Sequence, residues 1–276
     1  MILDTIARSA GKRVEQRKQV KPLEQVMKEA FKCREREGIK REDIKGEDGT
    51  GGGYSFKAAL SKPGVSFICE VKKASPSKGL IAPDFPYVEI ARQYQEAGAD
   101  AVSVLTEPEF FLGADRYLEE IHREIELPLL RKDFTVDEYQ IYEAKVLGAS
   151  AVLLICSLMD MEKLKRYMGI CGSLGLSSLA EAHTDREVAM AAEAGADIIG
   201  INNRNLETFE VDFTNALRLR KLVDRGTIFV AESGIRTPED IELLAENQVD
   251  AVLVGETLMR APDKKRALRE LKSRIG

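Results

Sequence analysis

Histidine is nearly absent. The chain of 276 residues has two, His122 and His183. That scarcity argues against a multi-histidine metal centre and against a histidine-driven nucleophile relay. His122 sits in the helical pattern YLEEIHREI and reads as a surface residue, whereas His183 follows LAEA at a strand end, where it either shapes a site or plays a local structural role. Cysteine is also sparse: Cys33, Cys69, Cys156 and Cys171 form no CxxC pair and show no metal-ligand spacing. Cys69 and Cys156 lie inside apolar runs and read as small core residues in a reducing compartment, so a cytoplasmic location is expected. No apolar run approaches the ~20 residues that span a bilayer. The opening MILDTIARSAGKR lacks the basic-then-apolar order of a secretory signal, so no membrane partner is expected. No charge sign dominates either. The net charge of -5 gives no general attraction to nucleic acid. The glycine-rich stretch GEDGTGGG at 46–53 fails the dinucleotide spacing at Tyr54, follows no strand, and reads as a flexible linker.

Apolar residues make up 44% and charged residues 32%, a balance that supports a soluble globular core. Residues 1–45 are helical by spacing, through Ile2, Leu3, Ile6 and Ala7 and then Leu23, Val26, Met27 and Ala30, with Pro22 suited to the first turn of the second helix. This segment is basic, with thirteen Lys/Arg against eight Asp/Glu. The charge reads as a solvated face, because aromatics are not interleaved with it as a nucleic-acid surface requires. YSFKAAL at 54–60 is a further short helix.

From Phe67 a rhythm begins. Apolar runs recur at 67–73, 101–106, 128–134, 151–156, 176–182, 198–204, 228–234 and 251–256, with starts 22 to 34 residues apart and helical patterns between them. EAGAD occurs at 96–100 and again at 193–197, with LGAS at 147–150 and NQVD at 247–250 in equivalent places. Each is a helix end with Gly or a stand-in at its C-cap, then a strand. Near-continuous apolar strands alternating with helices predict a parallel sheet covered on its outer face. Eight such units predict an α/β protein with a closed (β/α)8 TIM barrel. Residues 1–60 are then a helical N-terminal extension and residues 66–276 the barrel, in a single domain. An open doubly wound sheet is the alternative, weakened by the lack of a glycine-rich first turn.

The stretch FICEVKKASPSKG at 67–79 concentrates the chemistry. Strand side chains alternate, so Ile68, Glu70 and Lys72 share one face and Phe67, Cys69 and Val71 the other. A carboxylate and an ammonium on a packing face form either a structural ion pair or a catalytic site. The other strand ends decide between them. Ser75, Lys132, Asp133, Glu181, Asn202, Arg204, Glu232, Ser233 and Glu256 all fall at the carboxyl ends of strands, where such barrels do chemistry. The second and fourth strands end more blandly, in Thr106-Glu107 and Ser157. Crowded lysines and carboxylates shift one another's pKa values, which separates acid from base roles. AESGI and LVGET after the seventh and eighth strands leave backbone N–H groups open to an anion such as phosphate. Tight turns that need Gly are the plainer reading of the same residues.

EVKKASPS at 70–77, LRKDF at 130–134, EAHT at 181–184, GINNRNL at 200–206, AESGI at 231–235 and VGE at 254–256, in this order, resemble the indole-3-glycerol phosphate synthase family of tryptophan biosynthesis. The resemblance spans essentially the whole chain, extension included. A chain ending soon after the eighth unit looks like the single-function form. The resemblance implies ring closure, decarboxylation and dehydration of 1-(2-carboxyphenylamino)-1-deoxyribulose 5-phosphate by general acid–base catalysis, with no cofactor and no metal. It implies a small-molecule substrate and a monomer or weak homo-oligomer. It makes Lys132 the acid on the ketone oxygen and Lys72 a contact for a substrate anion. Glu70 and Glu181 become the carboxylates that balance charge and take a proton, and Asn202 a hydrogen-bond partner of the substrate hydroxyls. Ser75 and Arg204 join the polar contacts, Glu232 holds a cationic neighbour, and Phe111, Phe134 and Leu206 form the apolar wall. Ser233, Gly234, Gly255 and Glu256 match the phosphate cradle.

Glu256 and Asn203 depart from the family pattern. Glu256 stands where a small hydroxyl residue is common, so its backbone N–H is expected to serve while its side chain turns away. Asn203 stands where Ser is also found. Three rivals remain: another phosphate-binding barrel, such as a phosphoribosylanthranilate isomerase or tryptophan synthase α subunit; a Schiff-base aldolase using Lys72 or Lys132; and a non-catalytic sugar-phosphate barrel. The isomerase needs a Cys/Asp pair, whereas Cys69 is expected to point outward.

Overall fold

The structure, a computed structural model, describes residues 2–43, 56–206 and 208–275, so the glycine-rich stretch and Tyr54 lie outside the described residues. All eight predicted strands form, each within a few residues of its apolar run. They are β1 (Ser66–Val71), β2 (Ala101–Leu105), β3 (Leu129–Lys132), β4 (Ala151–Ile155), β5 (Ser177–Ala182), β6 (Ile198–Asn202), β7 (Ile228–Glu232) and β8 (Ala251–Val254). Neighbours in sequence pair in parallel, and β1 pairs with β8 to close a TIM barrel.

The strand periodicity divides the core in two. Ile68, Leu130, Leu153, Leu179, Val230 and Leu253 pack inside the barrel. Phe67, Cys69, Val71, Val102 and Val104 face the helical layer, so Cys69 points outward as its register requires. Hiding one such Leu from water contributes about 2 kcal/mol, and both faces of every strand are covered.

The helices are α1 (Ile2–Val20), α2 (Leu23–Asp43), α3 (Phe56–Leu60), α4 (Tyr87–Glu96), α5 (Asp115–Glu124), α6 (Tyr139–Val146), α7 (Met161–Ser173), α8 (Asp185–Glu193), α9 (Thr214–Arg220), α10 (Pro238–Glu246), α11 (Glu256–Arg260) and α12 (Lys264–Leu271). The repeated helix-to-strand turn has one geometry at four places: φ is 84° at Gly98, 90° at Gly148, 83° at Gly195 and 61° at Gln248. A left-handed residue there ends the helix and turns the chain into the next strand, and Gln248 does so without being glycine.

The described helices of the N-terminal extension meet the barrel at both of its ends. Phe56 and Leu60 of α3 pack into the interior column, and Lys57 reaches Asp197 at 2.7 Å and Ser177 at 3.3 Å, beside the amino ends of β6 and β5. Ile6 and Ala10 of α1 join the same column at the opposite end, with Phe134 and Ile155. Between them α2 lies against α6, with the Phe31 and Tyr142 rings 6.3 Å apart and Lys145 paired to Glu37 at 2.6 Å. The turn into α2 rests on Pro22, whose carbonyl accepts from the Gln25 and Val26 N–H groups.

Candidate active site

The carboxyl ends of the strands surround a cavity of about 350 Å³. All the residues expected at the site line it: Glu70, Lys72, Ser75, Lys132, Glu181, Asn202, Arg204, Glu232, Ser233, Gly234, Gly255 and Glu256, together with Phe111, Phe134 and Leu206. Asp133 lines it too, but its carboxylate is turned to structure. It accepts the Thr106 hydroxyl at 2.7 Å and the Phe134 N–H at 2.8 Å, which fixes the backbone of an aromatic wall residue.

Lys132 is the centre of the charged group. Its Nζ lies 2.8 Å from Glu181 Oε2 and 2.9 Å from Glu232 Oε2. Burial alone pulls the Lys132 ammonium toward the neutral amine, but Glu181, Glu232 and Glu70 outweigh it and hold the proton more tightly than usual. The two carboxylates part company. Burial pushes Glu181 up, yet Lys132, His183 and the Asn202 amide overcome this and keep it below the usual carboxylate range. Burial pushes Glu232 up to about 7; Lys132 offsets only part of that, and Glu181 and Glu70 add repulsion. One acidic group is thus firmly ionised beside another that titrates near neutrality.

Two glycines make room for these carboxylates. A Cβ at Gly200 on β6 would collide with Glu232 Oε1, and a Cβ at Gly255 would collide with Glu70 Oε2 while falling 2.9 Å from Lys72 Nζ. Glu70 and Lys72 form an ion pair with each other, with Glu70 buried. Gly255 therefore serves the charged pair as well as any anion site.

The turn after β7 is held in an uncommon conformation. Ser233 and Gly234 are both left-handed, at φ 67° and 87°. Buried Asn203 supports it, donating to the Ser233 carbonyl at 3.1 Å and accepting the Ala216 N–H at 3.0 Å. Ser233 donates its hydroxyl to Asn202 Oδ1 at 2.9 Å, and the same oxygen accepts the Arg204 N–H at 3.0 Å. The Glu256 carboxylate pairs with Arg260 at 3.0 Å and has Lys78 and Arg204 nearby at 3.8 and 3.9 Å. This leaves its charge largely balanced by cations.

The apolar side of the cavity combines Phe111 and Phe134, whose ring centroids are 6.1 Å apart, with Ile2, Leu3 and Ile6 of α1. The helical spacing of those α1 residues is plain in the sequence, and the structure places them at the mouth of the barrel. Glu107, which the sequence presents as a bland strand end, has a structural task that the sequence does not show. It is fully buried and accepts the N–H groups of Glu109, Phe110 and Phe111 at 3.1, 2.7 and 3.1 Å, and Arg13 of α1 pairs with it at 3.0 Å. The loop that carries Phe111 is thus tied to the extension. A second tie runs through Arg131, which is buried on β3. Its guanidinium reaches Asp115 and Glu143 at 2.8 Å each, and Arg17 of α1 grips the same two carboxylates.

Structural comparison shows the barrel alone. A 3-hexulose-6-phosphate synthase superposes with a TM-score of 0.63 at 13% identity, over 77% of this chain and 100% of the other. A thiamine phosphate pyrophosphorylase from Pyrococcus furiosus gives 0.56 at 19% identity, over 79% and 96%. Sequence comparison is far more specific. Indole-3-glycerol phosphate synthases from Endomicrobium trichonymphae and Ruminiclostridium cellulolyticum are each 51% identical, over 274 residues (99% of this chain, 100% of that relative) and 272 residues (99% of each). The indole-3-glycerol phosphate synthase family model matches residues 3–271, so extension and barrel together place the chain in the indole-3-glycerol phosphate synthase family.

Proposed function

We infer that the protein closes the indole ring. It converts 1-(2-carboxyphenylamino)-1-deoxyribulose 5-phosphate into indole-3-glycerol phosphate, with loss of CO₂ and water. The observation that carries the residue assignments is Lys132 Nζ held between buried Glu181 and Glu232 at the mouth of the barrel.

Ring closure drives an aromatic carbon onto a ketone, so the ketone oxygen gains negative charge and needs a proton. Lys132 donates it. An ammonium gripped by two carboxylates is a weak acid, but protonation of Glu232 removes one of them and makes Lys132 a better donor. Positioned general acids of this kind contribute about 10²–10⁴ in rate. Lys72, beside Glu70, holds the substrate carboxylate until it leaves as CO₂. Glu70 and Glu181 balance the positive charge that develops on the ring system, and one of them takes the proton in the dehydration. Asn202 and Arg204 contact the hydroxyl-bearing chain, with Ser75 at the β1 loop. The phosphate rests on Ser233 and on the backbone N–H groups of Gly234, Gly255 and Glu256. The benzoid ring lies against Phe111, Phe134 and Leu206. No step in this scheme calls for a metal or cofactor.

A Schiff-base aldolase needs a neutral lysine amine, and the surroundings of Lys132 favour the ammonium instead. The test is a fluorescence assay for indole-3-glycerol phosphate in buffer with chelator, in which a protein without tryptophan contributes little background. Lys132→Met is expected to abolish turnover while phosphate-bearing ligands still bind. An active Lys132→Met enzyme would remove the role given to this lysine.

A further inference from the structure

Among the described residues, three buried side-chain polar atoms lack a hydrogen-bond partner: Ser103 Oγ, Glu232 Oε1 and His183 Nε2. The last is the most informative, because His183 lies outside the cavity yet faces a member of the charged group.

The ring of His183 is set between two carboxylates. Its Nδ1 is 3.5 Å from Glu187 Oε2 on α8, and its Nε2 is 3.8 Å from Glu181 Oε1. The backbone around it is fixed. The His183 N–H donates to Glu187 Oε2 at 2.6 Å, and the His183 carbonyl accepts from Asn215 of α9 at 3.2 Å. Glu181 presents its other oxygen, Oε2, to Lys132. The line Glu187, His183, Glu181, Lys132 therefore runs from the helical layer to the mouth of the barrel. Both ring nitrogens face acceptors, and only the imidazolium carries N–H on both.

We propose that His183 is a positioning residue for Glu181: with Glu187 orienting the ring, its Nε2, 3.8 Å from the outer oxygen of Glu181, draws that oxygen outward and so keeps the inner oxygen on Lys132. This rests on Glu181 acting in the catalytic group. The groups that face the ring are Glu181 on β5, the strand that His183 follows, Glu187 on α8 and Glu232 on β7, with the neutral Asn215 on α9 and Lys132 of β3 behind Glu181. The Cys156 thiol at the end of β4 also feels both Glu187 and Glu181, and burial raises its pKa so that it stays neutral. Burial favours the neutral imidazole, but the three carboxylates prevail and raise the His183 pKa above its ordinary value. The imidazolium thus persists to higher pH than in an ordinary histidine and is lost as pH rises through that raised value.

Glutamine and asparagine separate the two ends of the ring. His183→Gln places an amide near Nε2, facing Glu181, whereas His183→Asn reaches only the Nδ1 side. The expected result is that His183→Gln keeps kcat within about threefold of the parent and that His183→Asn loses about tenfold, with KM little changed in both, since small misplacements of reacting groups are costly. The alkaline limb of the kcat profile that His183 contributes should be absent in His183→Gln. Equal kcat in the two variants, or profiles that superimpose on the parent, would overturn the proposal.

A second measurement does not depend on turnover. The chain has only two histidines, so imidazole NMR resolves both, and His122→Gln assigns them. Glu187→Gln is expected to lower the His183 midpoint, as is Glu181→Gln. A midpoint that neither variant moves would sink the coupling. An active Glu181→Gln enzyme, by contrast, would remove the catalytic role of Glu181 and leave the NMR coupling standing.

Discussion

The carboxylate of Glu70 occupies the space that a side chain at position 255 would need. Gly255 lies after β8 and Glu70 on β1, and closure of the barrel brings the two strands together. The glycine lets the Glu70–Lys72 pair stand at the rim, and under the proposed function its N–H also serves the phosphate.

These duties predict a contrast between two alanine variants. Gly255→Ala pushes its methyl into Glu70 and Lys72, so kcat should fall by about 100-fold, the scale of a 1 Å displacement of reacting groups. Gly234→Ala has φ 87° to accommodate and Val211 Cγ1 at 2.7 Å, in the turn to which the proposed function assigns the phosphate. Its main effect should be a higher KM. Steady-state kinetics on both variants checks this, and an unchanged kcat in Gly255→Ala would count against the role of the Glu70–Lys72 pair.

Glu232 predicts a dependence of stability on pH. Its pKa rises from 4.5 to about 7 in the fold. A folded-state pKa above the unfolded value means that the fold is favoured while the group is protonated. That contribution is complete below about pH 4.5 and is lost as pH climbs through 7, an effect on the order of 3 kcal/mol. Glu181 acts in the opposite sense: its lowered pKa stabilises the fold above the ordinary carboxylate range and loses that contribution only in acid. Glu232→Gln removes the neutral-range cost. The variant should therefore gain stability relative to the parent at pH 8 and not at pH 5, while turnover falls. Urea unfolding at the two pH values measures this; a gain of equal size at both would contradict the cause given.

The barrel was legible because buried parallel strands are continuous apolar runs. The glycines that end the helices mark where each run begins, and alternation along 67–72 separates inside from outside. The charged rim was legible for a related reason: polar residues stand out at the ends of such runs. What the sequence concealed depends on distant neighbours. Glu107 looks like an ordinary strand end until Arg13, far away in the chain, is placed beside it. Asn203 looks like a mild replacement of serine until its amide is seen holding the Ser233 carbonyl. Gly200 is only one letter of a motif until Glu232 is seen to fill the space beside it. None of these signals is periodic, so no reading of periodicity finds them.

The Arg13–Glu107 pair predicts that the extension affects substrate binding, and this is measurable. Glu107 is fully buried, and without Arg13 it keeps three backbone N–H bonds but loses its counter-charge. Removing one partner of a buried pair costs up to about 3–5 kcal/mol, and the partial exposure of Arg13 places this pair toward the lower end. Arg13→Met should lower stability and loosen the 107–113 loop. Because that loop carries Phe111 and none of the charged groups, KM should rise severalfold with kcat nearly constant. A variant that loses kcat instead would show that the extension acts on the charged group directly, with Arg17 and Arg131 as the route.

Gln248 offers a change that should strengthen the fold without touching the site. It stands where Gly98, Gly148 and Gly195 stand in the other units, and it takes the same left-handed conformation at φ 61°. Holding a residue with a Cβ there costs about 1–2 kcal/mol. Glycine removes that cost but gives the unfolded chain more freedom, which returns part of the gain. The side chain takes no part in the cavity lining, and the turn itself is held by backbone bonds, from the Gln248 N–H to Ala245 and from the Val249 N–H to Leu244. The Gln248 carbonyl, which Arg220 grips at 2.6 Å, remains in the glycine variant. Gln248→Gly should therefore raise unfolding stability by about 0.5–1 kcal/mol with unchanged kinetics. Denaturant unfolding of the two proteins decides it, and a less stable glycine variant would mean that the glutamine side chain contributes more than its backbone strain takes away.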